Sequence, residues 1–435
     1  MKKSVKYVGI IIILSLILSS IGIFLSGCEK KESKAIIILP GAMASALVDK
    51  SNGELVWDPL NCGLAFSDLT DDNGNISLTG TTLTVIMDKL DIIVDTIDEP
   101  DSFVNKLALD ENGNPLNANV VPVDMSYETN AKYGIFGAYQ EMYESFNEKY
   151  GEEYDVTVFQ YDWRLSSAYN GEKLEEYINT KGYDSVILVG HSMGGMVSSN
   201  YLNRSQANRD KVEMFLSIAT PFLGSVKAVR ALEDATQLMD TLPAFLLDML
   251  SGLINQIFAP LVRDSAAAYQ LLPSEALLDC PSYAETSYFI NNGVEGTFDE
   301  MISYIGANSW TKLTNLEVKP NFSSLEAYQN SLYTNGAHIT TLANTYYFVG
   351  IGASTEESVE VTNGVISKVN YNLSGDSIVT QYSASCGLAL DNDRVFTYTA
   401  LHMDIGTRFN TFIRDDCFML IDALNSPKNG ANKNN

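Results

Sequence analysis

The sequence predicts an α/β fold, in which a mostly parallel central sheet is flanked by helices and interrupted by an inserted cap. Apolar runs of strand length alternate with helix candidates, a rhythm typical of parallel sheets with crossover helices. The strand candidates are residues 35–39, 155–159, 185–189, 211–218 and 345–351, and the helix candidates are residues 133–150 and 172–180. One of these strands runs into a glycine-framed turn that a helix candidate follows. The rhythm stops between residues 226 and 337, so we expect a cap at 226–337 inserted into a core of residues 35–225 and 338–425.

Composition limits the function classes. The 435 residues are 46% hydrophobic, enough for a sizeable core, and the formal net charge is −26. A chain this acidic repels a phosphate backbone, which argues against a nucleic-acid partner. Three histidines are too few to favour a zinc site, and no metal cluster, nucleotide-binding loop or repeat stands out. The sequence therefore predicts no cofactor and no metal.

The N-terminus reads as a targeting segment. Three lysines among the first six residues precede an apolar run at residues 8–24, and Leu25-Ser26-Gly27-Cys28 resembles the lipobox of a bacterial lipoprotein signal peptide. The alternative is a transmembrane anchor, because a run of this length comes close to spanning a bilayer.

The lipobox resemblance implies a processed, lipidated protein. Residues 1–27 would be the removed signal peptide, Cys28 the lipidated residue and 28–34 an anchor linker. We therefore expect an extracytoplasmic protein anchored to the bacterial cell membrane by its lipidated N-terminus. At the other end, residues 426–435 are rich in Asn, Lys and Gly, which predicts a disordered tail.

The turn at residues 190–195 carries the strongest chemical signal. Five residues of strand type lead into Gly190-His191-Ser192-Met193-Gly194-Gly195, and a helix candidate follows. This strand–turn–helix setting is what a nucleophile elbow requires, because the sharp reversal leaves no room for side chains two residues before and after the serine. We interpret Ser192 as a nucleophile, the alternative being a tight glycine turn in an ordinary α/β domain.

The first strand candidate, residues 35–39, ends in Pro40-Gly41 and feeds a loop. In hydrolases with a nucleophile elbow, a loop after an early strand donates one oxyanion N–H and the residue after the nucleophile donates the other. We therefore expect Ala42 and Met193 to form the oxyanion hole. Taken alone, this loop is better explained as a structural Pro-Gly turn.

Five segments in chain order resemble the lecithin:cholesterol acyltransferase and lysosomal phospholipase A2 family of α/β-hydrolases. Tyr-Asp-Trp-Arg is close to diagnostic for that family, whereas the threonine-proline segment is shared with many lipases. The segments are Leu39-Pro40-Gly41, Tyr161-Asp162-Trp163-Arg164, residues 190–195, Ala219-Thr220-Pro221-Phe222-Leu223-Gly224-Ser225, and Gly375-Asp376-Ser377-Ile378-Val379 with a later His402. The resemblance implies an α/β-hydrolase fold with a cap or lid. One departure is Ser377-Ile378, where members often have Gly-Thr after the aspartate.

The base and the acid follow from chain order. Hydrolases of this fold run serine, acid, histidine along the chain. His191 is adjacent to Ser192, with its side chain expected to point away from the attack line, and His338 precedes any plausible acid. His402 is therefore the predicted base.

Asp376 is the predicted acid, because it follows a strand and has the Gly-Asp setting of the family. Asp391, Asp393 and Asp404 are rival acids.

These roles predict a serine hydrolase that works through an acyl-enzyme. The family resemblance implies that its substrates are lipid esters and that it acts as a phospholipase, a lipid O-acyltransferase or both. Its expected partners are a lipid or other ester substrate and the membrane surface reached through Cys28. A general secreted esterase or triacylglycerol lipase would use the same residues. A non-catalytic surface lipoprotein that binds a partner through the cap is the remaining alternative.

Two features of the sequence each fit more than one structure. Apolar residues between 242 and 257 follow helical spacing with little charge, which fits either a lid that meets lipid or a cap core. Cys62, Cys280, Cys386 and Cys417 allow three disulfide pairings, and four buried thiols fit the sequence as well.

Overall fold

The computed structural model describes residues 32–57, 99, 102–110, 113–123, 135–238, 244–280, 287–307 and 321–426. The predicted signal peptide, Cys28, Cys62, the predicted tail beyond residue 426 and parts of the predicted cap lie outside these residues. In the described part of the chain, no helix combines the length and the apolarity that crossing a membrane demands.

The central sheet has six strands, and all its pairings are parallel. Their order across the sheet is β15 (Val395–Thr399), β12 (Thr345–Ile351), β7 (Val212–Ile218), β6 (Ser185–His191), β1 (Lys34–Leu39) and β5 (Asp155–Val158). This confirms the predicted α/β class. The strands of the chain are β1 Lys34–Leu39, β2 Leu47–Asp49, β3 Glu54–Trp57, β4 Val120–Pro122, β5 Asp155–Val158, β6 Ser185–His191, β7 Val212–Ile218, β8 Phe289–Asn291, β9 Val294–Glu295, β10 Tyr333–Thr334, β11 Ala337–His338, β12 Thr345–Ile351, β13 Ala353–Thr362, β14 Val365–Gly375 and β15 Val395–Thr399.

Helices cover both faces of this sheet, which is the layered arrangement that buried parallel strands need. The α-helices are α1 Phe103–Leu107, α2 Ile135–Tyr150, α3 Ser167–Lys181, α4 Met193–Arg204, α5 Gln206–Lys211, α6 Val226–Glu233, α7 Ala244–Asp264, α8 Ala266–Gln270, α9 Phe298–Ala307, α10 Phe322–Ser331, α11 Gln381–Ala384, α12 His402–Thr407, α13 Phe409–Phe412 and α14 Arg414–Asn425. Short 3-10 helices span Ala235–Leu238, Glu275–Asp279 and Ile339–Leu342.

The alternation of side chains along β1 divides the core into two layers. Ile37 packs in the layer that contains α3 and α4, whereas Ile36 and Ile38 pack in the layer that contains α2 and α14. Every residue of β6 is buried. The elbow therefore stands at the carboxyl end of a strand in the interior of the sheet, where ligands of α/β proteins usually bind.

Two elements differ clearly from the sequence-based expectation. Helix α3 begins at Ser167, five residues before the predicted start, because the Ser166 side chain accepts a hydrogen bond from the Tyr169 N–H and caps the helix. Strand β15 pairs in parallel with β12 at the edge of the sheet and was not predicted. Its short, partly exposed sequence lacks the apolar run that marks the buried strands.

A long antiparallel hairpin turns at Asn363-Gly364. It pairs β13 with β14 in antiparallel fashion, and β8 from the predicted cap adds to β13 in parallel. Asn363 and Gly364 have φ of 54° and 79°, as a type I′ turn requires. The hairpin ends at Gly375, directly before Asp376.

Candidate active site

The sharp turn between β6 and α4 holds Ser192 in a strained conformation. Its φ is 53° and its ψ is −126°, a combination that a non-glycine residue rarely adopts. A β-carbon on Gly194 would lie 2.2 Å from the Leu39 carbonyl oxygen, and one on Gly190 would lie 2.7 Å from the Gly195 α-carbon. The turn therefore needs glycine at both positions, as the sequence predicted, and the serine stands at the N-terminus of α4.

The structure brings Ser192, His402 and Asp376 into one hydrogen-bonded chain. His402 Nε2 lies 2.9 Å from Ser192 Oγ, and His402 Nδ1 lies 2.8 Å from Asp376 Oδ2. His402 and Asp376 are both buried. With the Nδ1 proton directed at the carboxylate, Nε2 of a neutral ring is free to accept the serine proton.

The second carboxylate oxygen of Asp376 is also fixed. Asp376 Oδ1 accepts hydrogen bonds from the N–H groups of Ile378 and Val379, at 3.0 and 2.7 Å. Ser377, the departure from the family pattern, has a φ of 86°, in the region that favours glycine. Ser377 thus adopts a backbone conformation typical of glycine. The N–H groups of the two residues after it still bind the Asp376 carboxylate.

The rival acids lie elsewhere. Asp391 and Asp393 are exposed in the segment before β15, and Asp404 is placed 3.8 Å from Arg408, one helical turn later. Asp376 is the carboxylate that His402 contacts through Nδ1.

Ala42 and Met193 line the same cavity as Ser192. Two aromatic side chains fix the carbonyls of the loop around Ala42: the Tyr161 hydroxyl donates to the Pro40 carbonyl at 2.6 Å, and Trp57 Nε1 donates to the Met43 carbonyl at 2.7 Å. Met43 adopts a φ of 61°. Because the loop's carbonyls are held from outside, its backbone is arranged before any substrate arrives, which an oxyanion hole requires.

The Tyr-Asp-Trp-Arg segment explains how this loop is supported. Asp162 and Arg164 form a buried two-pronged ion pair, with Arg164 Nη2 2.6 Å from Asp162 Oδ2 and Nε 2.9 Å from Oδ1. Arg164 Nη1 also donates to the Leu107 carbonyl at 2.7 Å. Trp163 lines the cavity and packs against Trp57, with ring centroids 5.0 Å apart.

The cavity beside Ser192 is about 300 Å³ in volume and mainly apolar. Helix α6 and the loop at residues 41–44 each contribute four of its described lining residues. Among the described lining residues, Lys227 is the one with a formally charged side chain other than histidine. Lys227 is buried, and burial lowers the pKa of its ammonium to about 8, with the nearby Glu356 opposing that shift.

The other two histidines have different surroundings. His191 is buried, with its ring against Tyr139 and the His402 backbone. His338 lies apart from the triad; its Nε2 is 3.0 Å from Cys386 Sγ and its Nδ1 is 2.7 Å from Thr340 Oγ1.

Cys386 and Cys417 are thiols in the structure. Among the described residues, no group of three or more His, Cys, Asp or Glu side chains is placed to hold a metal ion.

The sequence did not predict a role for three residues of the site. Tyr139 and Lys227 lie in ordinary helices, and neither has a sequence signal that predicts a role. Tyr161 lies in the diagnostic segment, which pointed to the segment without indicating the role of its hydroxyl.

The chain resembles known proteins in sequence and in fold. The family model described as lecithin:cholesterol acyltransferase matches residues 123–340, half of the chain. No match was found among curated proteins. A chain in the crystal structure of the Tle4–Tli4 complex is similar with a TM-score of 0.50 and 14% identity, covering 91% of this chain and 98% of that chain. At that identity the similarity concerns the fold alone.

Two further structures show weaker similarity. Bacillus licheniformis lipase BlEst2 in its mature form has a TM-score of 0.30 and 18% identity, covering 66% of this chain and 86% of that chain. An extracellular α/β-hydrolase from a Paenibacillus species has a TM-score of 0.26 and 14% identity, covering 66% and 93%.

Proposed function

Because the chain belongs to the lecithin:cholesterol acyltransferase family of α/β-hydrolases, we propose that it is a serine hydrolase of lipid esters that works through an acyl-enzyme. The observation that carries the proposal is the hydrogen-bonded chain from Ser192 through His402 to Asp376 at the edge of an apolar cavity.

The first half-reaction forms the acyl-enzyme. His402 Nε2 removes the proton from Ser192 Oγ as this oxygen attacks the ester carbonyl carbon. Asp376 stabilises the resulting imidazolium and keeps its Nδ1 proton in place. The negative charge on the carbonyl oxygen is met by the N–H groups of Ala42 and Met193. His402 then gives its proton to the departing alcohol oxygen, and the acyl group stays on Ser192.

The second half-reaction releases the acyl group. His402 takes a proton from the acceptor hydroxyl, whose oxygen attacks the acyl carbon, and returns that proton to Ser192 Oγ as the intermediate collapses. Water as acceptor gives a fatty acid, and an alcohol gives a new ester. Both acceptors use the same residues, so the ratio of the two products depends on which acceptor reaches the acyl carbon.

Two features of the cavity support a phospholipid substrate. Its apolar lining suits an acyl chain, since burial of each methylene contributes about 0.8 kcal/mol. Lys227 supplies a cation beside the triad, where the phosphodiester of a phospholipid lies only a few bonds from its esters. A neutral ester has no group for this cation to bind.

We also propose that Cys28 carries lipid and that the enzyme works at a membrane surface outside the cytoplasm. The proposal rests on the lipobox-like Leu25-Ser26-Gly27-Cys28 and lies outside the described residues. Metabolic labelling with a fatty-acid analogue tests it: the wild type is expected to incorporate label, and Cys28→Ser is not. Equal label in both proteins would contradict it.

The experiment for the enzyme uses the full-length protein with vesicles of phosphatidylcholine that contain a long-chain alcohol, and Ser192→Ala as the control. We expect free fatty acid and lysophospholipid, acylated alcohol, or both, and none of these with Ser192→Ala. Cleavage of short esters without either lipid product would identify a general esterase. No turnover of any ester would leave the non-catalytic, partner-binding alternative.

A further inference from the structure

The structure makes room for the His191 ring at two glycines. A β-carbon on Gly406 would lie 2.4 Å from His191 Cδ2, and one on Gly41 would lie 3.3 Å from His191 Nδ1. Gly406 belongs to α12, the helix that begins at His402. Gly41 directly precedes Ala42 in the loop that follows β1. The buried ring is thus wedged between the element that carries the base and the loop that carries an oxyanion donor.

Hydrogen bonds join the same two elements through this ring. The Gly41 N–H donates to the Tyr139 hydroxyl oxygen at 2.8 Å, and that hydroxyl lies 2.7 Å from His191 Nδ1. His191 Nε2 lies 3.0 Å from the His402 carbonyl oxygen. The chain of contacts therefore runs unbroken from the loop between β1 and β2, residues 40–46, to the backbone of the base. We call this loop the oxyanion loop.

One arrangement of protons satisfies every contact. The carbonyl of His402 can only accept, so His191 Nε2 must carry a proton. In a neutral ring, Nδ1 is then the acceptor, and the Tyr139 hydroxyl donates to it while accepting from Gly41. Burial, together with the proximity of His402, lowers the pKa of His191 to about 3, so the ring keeps this neutral form across the pH range of ordinary ester hydrolysis.

We propose that Tyr139 and His191 are positioning residues that hold the oxyanion loop and His402 in a fixed relation through one hydrogen-bond chain. Both act through the backbone: Tyr139 accepts from the Gly41 amide, and His191 contacts the His402 carbonyl. The inference rests on the proposed function, because it assigns a purpose to the fixed relation only if Ser192 and His402 react with an ester.

The fixed relation matters because the two elements act on different atoms around the same carbonyl carbon. His402 accepts the proton of the attacking oxygen while the loop amide meets the oxygen that becomes negative. A shift of one element against the other lengthens hydrogen bonds that form only in the transition state, which lowers kcat while leaving the affinity for substrate intact.

The test compares the wild type with Tyr139→Phe, His191→Ala and the double variant, using a short p-nitrophenyl ester and phosphatidylcholine vesicles. Each single variant is expected to lose about 10- to 100-fold in kcat with KM nearly unchanged. Because both residues act through one chain, the double variant is expected to lose no more than the poorer single variant. His191→Gln retains an N–H for the His402 carbonyl, so it should keep more activity than His191→Ala.

Tyr154→Phe is the matched control, since it also removes the hydroxyl of a buried tyrosine. That hydroxyl donates to Asn425 Oδ1 at 2.9 Å, far from the triad. It is expected to keep the wild-type kcat. Three results would overturn the inference. The single variants could keep a kcat within about twofold of the wild type, their losses in kcat could multiply in the double variant, or the loss could fall on KM instead of kcat. If His191→Ala does not fold, the kcat and KM of Tyr139→Phe decide alone. A wild type that cleaves no ester refutes the proposed function instead.

Discussion

His402 is bound to Asp376 twice. Its backbone N–H donates to the Asp376 carbonyl at 2.7 Å, and its Nδ1 contacts Asp376 Oδ2 at 2.8 Å. The backbone bond holds the start of α12 against the loop after β14, and the side-chain bond orients the ring. Position and orientation of the base are therefore set by the same residue.

Asp376→Asn separates these two contributions. The backbone bond remains, but an amide can present its N–H₂ to Nδ1 and stabilise the wrong tautomer of His402. We expect kcat to fall by about 10³- to 10⁴-fold with little change in KM. Steady-state kinetics on a soluble ester measures this. Asp404→Asn serves as control and should remain active; if Asp404→Asn is the inactive variant, Asp376 is not the acid.

Crowding at the elbow gives a second prediction. A β-carbon on Gly194 would meet the Leu39 carbonyl oxygen at 2.2 Å, whereas one on Gly252 in α7 would have no neighbour within 4 Å. Gly194→Ala should destabilise the fold by about 3 kcal/mol or more, and Gly252→Ala should stabilise it by about 0.5–1 kcal/mol because alanine favours a helix interior. Urea unfolding measures both. Equal stabilities would show that the elbow is not as tightly packed as described.

Lys227 predicts a pH dependence of substrate preference. Burial lowers the pKa of its ammonium from 10.5 to about 8, so the cation is present below about pH 8 and is lost as the pH rises through that value. The ratio of kcat/KM for phosphatidylglycerol to that for a neutral diacylglycerol should therefore fall between pH 7 and pH 9. In Lys227→Met the ratio should be lower and independent of pH. A wild-type ratio that stays constant over this range would exclude Lys227 from phosphate binding.

His338 predicts a pH dependence of stability. Burial lowers the pKa of its imidazole from 6.5 to about 4. Below about pH 6.5 the unfolded chain binds a proton that the folded state excludes, so stability falls as the pH drops from about 6.5 to about 4. In His338→Gln, the fall in the free energy of unfolding between pH 7 and pH 4.5 should be smaller by roughly 2 kcal/mol. Urea unfolding at both pH values measures it, and an identical fall in the two proteins would contradict the prediction.

The parts of the fold that the sequence predicted are those with local signals. The apolar run before Pro40 and the glycine pattern around Ser192 each specify their own backbone within a few residues. Strand β15 lacks such a signal, because its pairing with β12 depends on a neighbour more than forty residues earlier in the chain. The early start of α3 depended on one serine cap, which a search for apolar periodicity overlooks.

The same distinction applies to the site. The serine, the acid and the histidine have a fixed order along the chain, and the structure brings all three together. Tyr139 and Gly41 are 98 residues apart, and their contact arises only when α2 packs against the sheet beside the first loop. Tertiary contacts of this kind leave no pattern in a single sequence, which is why the contact of Tyr139 with this loop was not predicted.

The proposed mechanism requires an acyl group on Ser192, and mass spectrometry detects such a group. The full-length protein would be mixed with a long-chain p-nitrophenyl ester, quenched in acid during the first turnover, and digested for peptide masses. We expect one acyl group on Ser192 in the wild type and none in Ser192→Ala. The acyl-enzyme mechanism is wrong if p-nitrophenol is released with no acyl group on Ser192, or if Ser192→Ala turns over the ester as fast as the wild type.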